Sequence, residues 1–458
     1  MTAVYEVIDP ATLEVIGVAP DHSEADVAAA VDRAIRAERS WASDREQRRG
    51  ALRAIAGSIR ADEERLARLL SLEQGKVMAD AVGEFRVAAG LFDYYAELDW
   101  PEVETLPDRA DRSLEVHNRP VGVVGTITPW NFPISLLCVK LAPALVAGCT
   151  VIAKPSATTP LSTIALVELA ARVLPEGVLQ ASTSRGRAVN VALSTLPGVR
   201  KISFTGSTEV GSAIAQQAAA TVKRVTLELG GNDPAIVLDD AHIETTARGI
   251  VGSAFRNSGQ VCMAVKRVYA PRNRVDELID AIAAAAAAHV LGHGVAEGTT
   301  MGPMHNRSQL DIVSGLIIDA EASGARVVTG GARGCELPGH FLQPTVIANA
   351  EPGMRIVEEE QFGNALPIVA YDELETTLEL VNAGEFGLGA SVWSPDLERA
   401  HTIASRIDAG TVWINQHTLV EVDAPFGGWK ASGIGRERGR WGLSEYLQTR
   451  TLNARPHG

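Results

Sequence analysis

The 458-residue chain is short of cysteine, aromatics and positive charge. It has 42 Lys and Arg against 56 Asp and Glu, a formal net charge of −14. That excess of acid removes the basic surface that a general nucleic-acid or anionic-membrane binder needs. Only a local basic patch for a nucleotide phosphate remains open. The four cysteines are Cys138, Cys149, Cys262 and Cys335. None forms a CxxC pair, and their spacing suits neither a zinc site nor a disulfide framework, so no metal is expected. Long apolar runs are missing too. Ala283 to Ala288 is short, made of alanine, and follows Asp276, Glu277 and Asp280, so it reads as a closely packed helix. Met1 to Pro10 carries Glu6 and Asp9 and no apolar signal core. The expected location is the cytoplasm.

What is present is a globular composition, with 46% hydrophobic and 21% charged residues. The length exceeds one ordinary core, so two or three domains are expected. Ser23 to Trp41 predicts an amphipathic helix, with Ser23 as its cap and Val27, Val31 and Ile35 at helical spacing. Gln47 to Leu72 predicts a longer helix with Leu52, Ile55 and Ile59 on one face. Val121 to Thr128, Thr150 to Ala153 and Val199 to Phe204 read as strands. Helical stretches follow Pro133, span Leu161 to Leu174 and start at Thr208. This alternation predicts a parallel sheet with crossover helices. It restarts after Gly230. Ala235 to Leu238, Arg267 to Ala270 and Arg326 to Val328 are strand-like, while Val275 to Val290 and Ser308 to Ser323 are helical. Pro101 to Pro120, around Asp108, Arg109 and Asp111, reads as a hairpin, and Tyr446 to Asn453 as a tail strand. Open edges of that kind commonly pair with another subunit.

Three segments carry chemistry. A lone cysteine is usually a small core residue. Cys262, however, follows Asn257-Ser258-Gly259-Gln260-Val261, a polar turn that would lift the thiol out of the core. Earlier stands Glu228-Leu229-Gly230-Gly231-Asn232, a carboxylate entering a glycine turn after a strand. A thiolate with a carboxylate base is a covalent-catalysis pairing. Pro129-Trp130-Asn131-Phe132-Pro133 sets an amide between aromatics and prolines. Asn131 could supply one oxyanion donor and the Cys262 backbone N–H the other.

An ordered set of runs gives the chain a resemblance to the aldehyde dehydrogenase superfamily over nearly its whole length. They are Thr128-Pro129-Trp130-Asn131-Phe132-Pro133, Lys154-Pro155-Ser156, Phe204 to Gly211, Glu228 to Gly231, Gly259 to Cys262, Glu359 to Gly363 and Pro425 to Gly428. The resemblance implies an α/β chain with a Rossmann-like dinucleotide-binding domain (1–100 and 121–230) and an α/β catalytic domain (231–430). A small β oligomerisation element (101–120 and 444–458) implies a homodimer or homotetramer. It implies that Cys262 attacks an aldehyde, that Asn131 holds the oxyanion, and that Glu228 activates water to hydrolyse the thioester. The presence of Glu228 favours hydrolysis over transfer to coenzyme A. Lys154 would reach the adenosine ribose and Ser207 the pyrophosphate. Glu360 would bind the nicotinamide ribose, Phe362 would lie beside the ring, and Trp130 would bond a phosphate. Ser156 and Gly206 complete the cofactor set.

Departures from the family pattern bear on cofactor and substrate. Ala157 stands where many NAD+-preferring members have a glutamate. Arg185 and Arg187, in an altered glycine turn, are either partners for a 2′-phosphate or surface arginines, the latter favoured. Asn364 replaces a usual proline and is expected to loosen its turn. NAD+ is favoured over NADP+. Arg256 resembles an arginine that succinate-semialdehyde dehydrogenases use for the substrate carboxylate. Their second arginine falls at Val139 and is missing. Glu421 would repel a carboxylate, and Arg256 could pair with it instead. Phe132, Ser135 and Met263 complete the expected aldehyde pocket. A semialdehyde dehydrogenase, a coenzyme A-acylating or esterase enzyme, and a scaffold that keeps only nucleotide binding are the rival readings.

Overall fold

Strands Val123–Ile127, Thr150–Lys154, Asp233–Val237, Val265–Pro271 and Gly389–Trp393 are buried at every position. Strands buried on both faces belong to parallel sheets sandwiched by helices. The computed structural model, which describes residues 3–107, 109 and 111–455, contains two such sheets. The first runs in the order Gly433–Ile434, Arg224–Glu228, Val199–Thr205, Val123–Ile127, Thr150–Lys154, Leu179–Ala181. It is parallel except for Gly433–Ile434. The second runs Arg326–Thr329, Thr345–Ala350, Ala365–Tyr371, Val265–Pro271, Asp233–Val237, Gly389–Trp393, Thr411–Ile414. Only Arg326–Thr329 is antiparallel there. Each sheet has an apolar core on both faces. The α/β class expected from the alternation is the class observed.

Register explains where a site can form. Ile127 lies opposite both Lys154 and Phe204, and Thr205 lies opposite Glu228. Lys154, Thr205 and Glu228 therefore stand in a row at the carboxyl edge of the first sheet, where open α/β sheets hold ligands. Cys262 comes just before Val265–Pro271, and Phe362 just before Ala365–Tyr371, at the amino edge of the second sheet. The two edges meet, because Glu228 and Cys262 line the same cavities.

A third sheet is antiparallel and joins Leu447–Ala454, Ser113–Pro120 and Val103–Thr105. Hairpin and tail strand thus pair with each other. Asp108 of the expected hairpin and residues 456–458 of the expected tail lie outside the described residues. The first helix is Glu24–Ser43, closed by a capping box in which the Asp26 N–H donates to Ser23 Oγ and the Ser23 N–H to the Asp26 carboxylate.

Two details differ from the sequence reading. Ile35 is 44% exposed, and Ala34 and Trp41 take the inward positions beside Val27 and Val31. The helix expected over Gln47 to Leu72 is two helices, Arg45–Ala61 and Glu63–Gln74. Asp62 leaves helical geometry at φ −120°, its N–H turns back to Ile59 O, and Arg65 holds its carboxylate. Among the described residues, no helix is long and apolar enough to cross a membrane.

Candidate active site

The segment before Cys262 is held in an unfavourable conformation. Asn257, Ser258 and Gly259 have φ of 48°, 57° and 72° in succession. Left-handed backbone at a non-glycine residue costs on the order of 1–3 kcal/mol and persists only where its surroundings enforce it. Here they do. Asn257 Nδ2 donates to Asn131 O (3.1 Å), Ser258 Oγ to Gly302 O (2.8 Å) and Lys266 Nζ to Gly259 O (3.0 Å). A Cβ on Gly259 would lie 2.2 Å from Gly363 O, so only glycine fits. The turn delivers a half-buried Cys262 into two cavities at once.

The cavities are similar in size, about 220 and 270 Å3, so volume does not distinguish them. Their linings do. One contains Trp130, Asn131, Gly206, Ser207, Glu360 and Phe362. The other contains Phe132, Ser135, Arg256 and Met263. Cys262 and Glu228 belong to both. The expected cofactor and aldehyde residues therefore fall on opposite sides of the thiol. Lys154 and Ser156 are in neither lining. Lys154 is buried at its strand end, and Ser156 Oγ lies 3.1 Å from Thr158 Oγ1.

Glu228 is buried, and neither carboxylate oxygen has a hydrogen-bond partner among the described residues. The Cys262 thiol faces it, but not in hydrogen-bonding geometry. Burial pushes the Glu228 pKa up to about 8, nearby Glu437 adds to the rise, and Lys140 opposes it. An unpaired carboxylate in such a site neutralises instead of remaining charged. Burial also raises the Cys262 thiol well above its ordinary range, and the negative charge of Glu228 contributes.

Asn131 is fixed from both ends. Its Nδ2 donates to Gln260 O (2.8 Å), and its backbone oxygen accepts from Lys76 Nζ (2.8 Å). Lys76 is paired at 2.5 Å with Glu84, and both side chains are buried. Glu84 in turn accepts from the N–H groups of Ile134 and Ser135. The Cys262 backbone N–H has no partner among the described residues, which leaves it available to an oxyanion.

Several features of the other cavity suit a dinucleotide. Ser207 caps the helix Thr208–Ala219 by accepting from Val210 N, so the free N–H groups of the first turn open beside it. Lys154 Nζ makes no hydrogen bond or ion pair among the described residues, and burial lowers its pKa to about 8. Glu360 accepts from Gly231 N at 3.3 Å, and a Cβ on Gly230 would crowd its carboxylate at 2.6 Å. Burial raises Glu360 to about 7. Phe362, at φ 50°, meets the Trp130 ring edge-on at 5.5 Å. Among the described residues, no group of three or more His, Cys, Asp or Glu could hold a metal ion.

Two expectations about departures are corrected by these contacts. Arg256 pairs with Asp80 at 3.2 Å, not with Glu421. Asn364 does not loosen its turn. It is buried and donates to Leu342 O at 2.8 Å. Arg185 and Arg187 are exposed, as the favoured surface reading has them, while Thr183 Oγ1 donates to Pro20 O and Ser184 Oγ to the Asp21 carboxylate.

Sequence reasoning missed Lys76, Glu84, Lys140, Glu437, Lys266, His305 and Arg438. Lys140 is paired with Glu437 and donates to Thr205 Oγ1 at 2.6 Å. His305 stacks on Trp130 at 4.6 Å, and burial lowers its pKa to about 4. Arg438 adopts φ 67° and ψ 164°, a region populated almost only by glycine. A buried-charge signal was present only for Lys140, which sits inside the apolar run of Ser135–Ala147.

Known proteins resemble this chain over nearly its whole length. The model of the Aldehyde dehydrogenase family matches residues 2–452. The NADP(+) succinate-semialdehyde dehydrogenase of Escherichia coli is 38% identical over 98% of this chain and 93% of its own. The geranial dehydrogenase of Castellaniella defragrans is 40% identical over 97% of this chain and 94% of its own. The structure of betaine aldehyde dehydrogenase from Staphylococcus aureus in complex with NAD+ superposes with a TM-score of 0.96 at 35% identity, covering 99% of this chain and 92% of that one. With so complete a match in sequence and in fold, this chain belongs to the aldehyde dehydrogenase family.

Proposed function

We propose that this chain oxidises an aldehyde to a carboxylic acid with NAD(P)+ by dividing the reaction between Cys262 and Glu228. The observation that carries this reading is the position of those two side chains, shared by both cavities. Cys262 gives up its thiol proton to solvent, and Sγ then adds to the aldehyde carbon to give a thiohemiacetal oxyanion. The second N–H of Asn131 Nδ2 and the Cys262 backbone N–H hold the oxygen. A nicotinamide held by Glu360, Phe362 and Trp130 would supply the hydride acceptor, and a thioester would remain on Cys262. Glu228, as the carboxylate, takes a proton from water, whose oxygen replaces Sγ at the acyl carbon. Acid leaves, and the thiol is regenerated.

Cofactor residues are assigned on the same basis. Glu360, Phe362 and Trp130 hold the nicotinamide half. Ser207 and Gly206 meet the pyrophosphate. Lys154, with Ser156 after it, serves the adenosine ribose. No carboxylate stands at Ala157 to repel a 2′-phosphate, so both cofactors are accepted, with NAD+ favoured. The proposed domains are 1–100 plus 121–230, 231–430, and 101–120 plus 444–458. Leu447–Ala454 is exposed along almost its whole length, an open edge suited to a homodimer or homotetramer.

The test is absorbance at the reduced-nicotinamide band with a panel of aldehydes and each cofactor, for wild type and Cys262→Ala. Reduction that disappears in the variant is expected. Reduction that survives it would remove Cys262 from the reaction.

A further inference from the structure

The aldehyde-side cavity has five charged side chains besides the catalytic Glu228 and Cys262 to account for: Glu84, Arg256, Glu437, Arg438 and, on the adjoining loop, Glu421. Three are already satisfied. Glu84 is paired with Lys76, Arg256 with Asp80 and Glu437 with Lys140. Glu421 is exposed to solvent. Arg438 differs. Among the described residues its guanidinium makes neither a hydrogen bond nor an ion pair, although it lines the cavity that contains Cys262. Glu437 and Glu421 act on it through space, but neither comes within ion-pair distance. The Tyr95 hydroxyl, also nearby, donates to Gly439 O instead. Burial lowers the Arg438 pKa, and the negative charges of Glu437 and Glu421 offset part of that shift.

The backbone sharpens the point. At φ 67° and ψ 164°, glycine would be relaxed and arginine is strained. The sequence thus keeps a long cationic side chain at a costly position, bordering the cavity and without a hydrogen bond or ion pair among the described residues. A partly buried guanidinium is stabilised by an anion that it can bind through two parallel N–H donors.

We propose that Arg438 is a specificity-determining residue that receives an anionic oxyacid group, a carboxylate foremost, at the far end of the aldehyde substrate. This rests on the reading of Cys262 as the nucleophile. It does not use Arg256, which is paired with Asp80. A neutral aldehyde of equal length leaves Arg438 unpaired and pays for its desolvation.

Steady-state kcat and KM with 4-oxobutanoate and 5-oxopentanoate, against butanal and pentanal, test it in wild type, Arg438→Gln, Arg438→Lys and Arg438→Gly. The quantity read is kcat/KM for the anionic aldehyde over that for the neutral one of the same length. Arg438→Gln should lower this ratio about 10- to 100-fold, mainly through KM, the scale of one lost charge-assisted interaction. Arg438→Lys should restore part of it. Arg438→Gly relieves the backbone, so it should unfold no earlier than wild type and still lose the preference. That variant separates loss of charge from loss of fold. A wild type without preference for the anionic aldehydes, or a ratio unmoved in all three variants, overturns the proposal. Neutral aldehydes would still reduce cofactor in that case, and the reading of Cys262 would stand. Absence of reduction with every aldehyde would instead overturn the reading on which the proposal rests.

Discussion

The cavities on the two sides of Cys262 are built differently. The cofactor side is made from short runs at the ends of neighbouring strands. Trp130, Gly206, Ser207 and Leu229 follow or close three adjacent strands of the first sheet, and Glu360 and Phe362 approach from the second. Glycines let backbone come close, as where Gly230 meets the Glu360 carboxylate. The aldehyde side is made from pieces far apart in sequence, from Gly83 to Arg438, and is tied together by buried ion pairs. A binding site for a fixed ligand can be written into local turns. A pocket for a particular aldehyde is set by side chains that only tertiary structure assembles.

The largest expected effect is at the seam between them. Lys76 and Glu84 hold Asn131 on one side and the start of Ser135–Ala147 on the other. Lys76→Met leaves Glu84 buried without its partner and should cost about 3–5 kcal/mol of stability by chemical denaturation. A loss below about 1 kcal/mol would mean that the pair does not brace the site. Next comes Glu360→Gln, which should lower kcat about 10- to 100-fold with every aldehyde and leave their ranking unchanged. A changed ranking would break the separation of the cavities. Met263→Ala should do the opposite. It should move the ranking towards bulkier aldehydes by about tenfold while the KM for cofactor holds.

The smallest effect is on pH. In the proposed reaction Glu228 must be ionised to act as base, and burial pushes its pKa up to about 8. Where thioester hydrolysis limits turnover, kcat should rise about fivefold from pH 7 to pH 8 as the carboxylate forms. The same shift has a sign for stability. A carboxyl whose folded pKa is raised binds its proton more tightly when folded. Its contribution is therefore present at low pH and is lost as pH rises from about 4.5 towards 8. Glu228→Gln should remove that loss, seen as a higher melting temperature than wild type at pH 9.

Legibility in the sequence follows the same divide. The α/β class, the capped first helix, the hairpin and the motif residues could be read because each is local: a period, a cap, a glycine turn. The break at Asp62 was hidden because the apolar pattern runs straight through it, and Leu66, Ala67 and Leu70 stay buried beyond it. Arg256 was matched to the wrong carboxylate because Asp80 reaches it only in the folded chain. Lys140 and Glu437 meet across 297 positions, and no pattern in either segment announces the other. Arg438 is the extreme case. Its significance comes from what it does not touch.

The most direct test of the division of labour is rapid-mixing absorbance of Glu228→Gln with saturating cofactor and aldehyde. A burst of about one reduced cofactor per site, followed by turnover slowed by about 10²–10⁴-fold, is the predicted result, since the thioester would form and then wait for its base. Loss of the burst together with turnover would contradict it, and would place Glu228 before the thioester instead of after it.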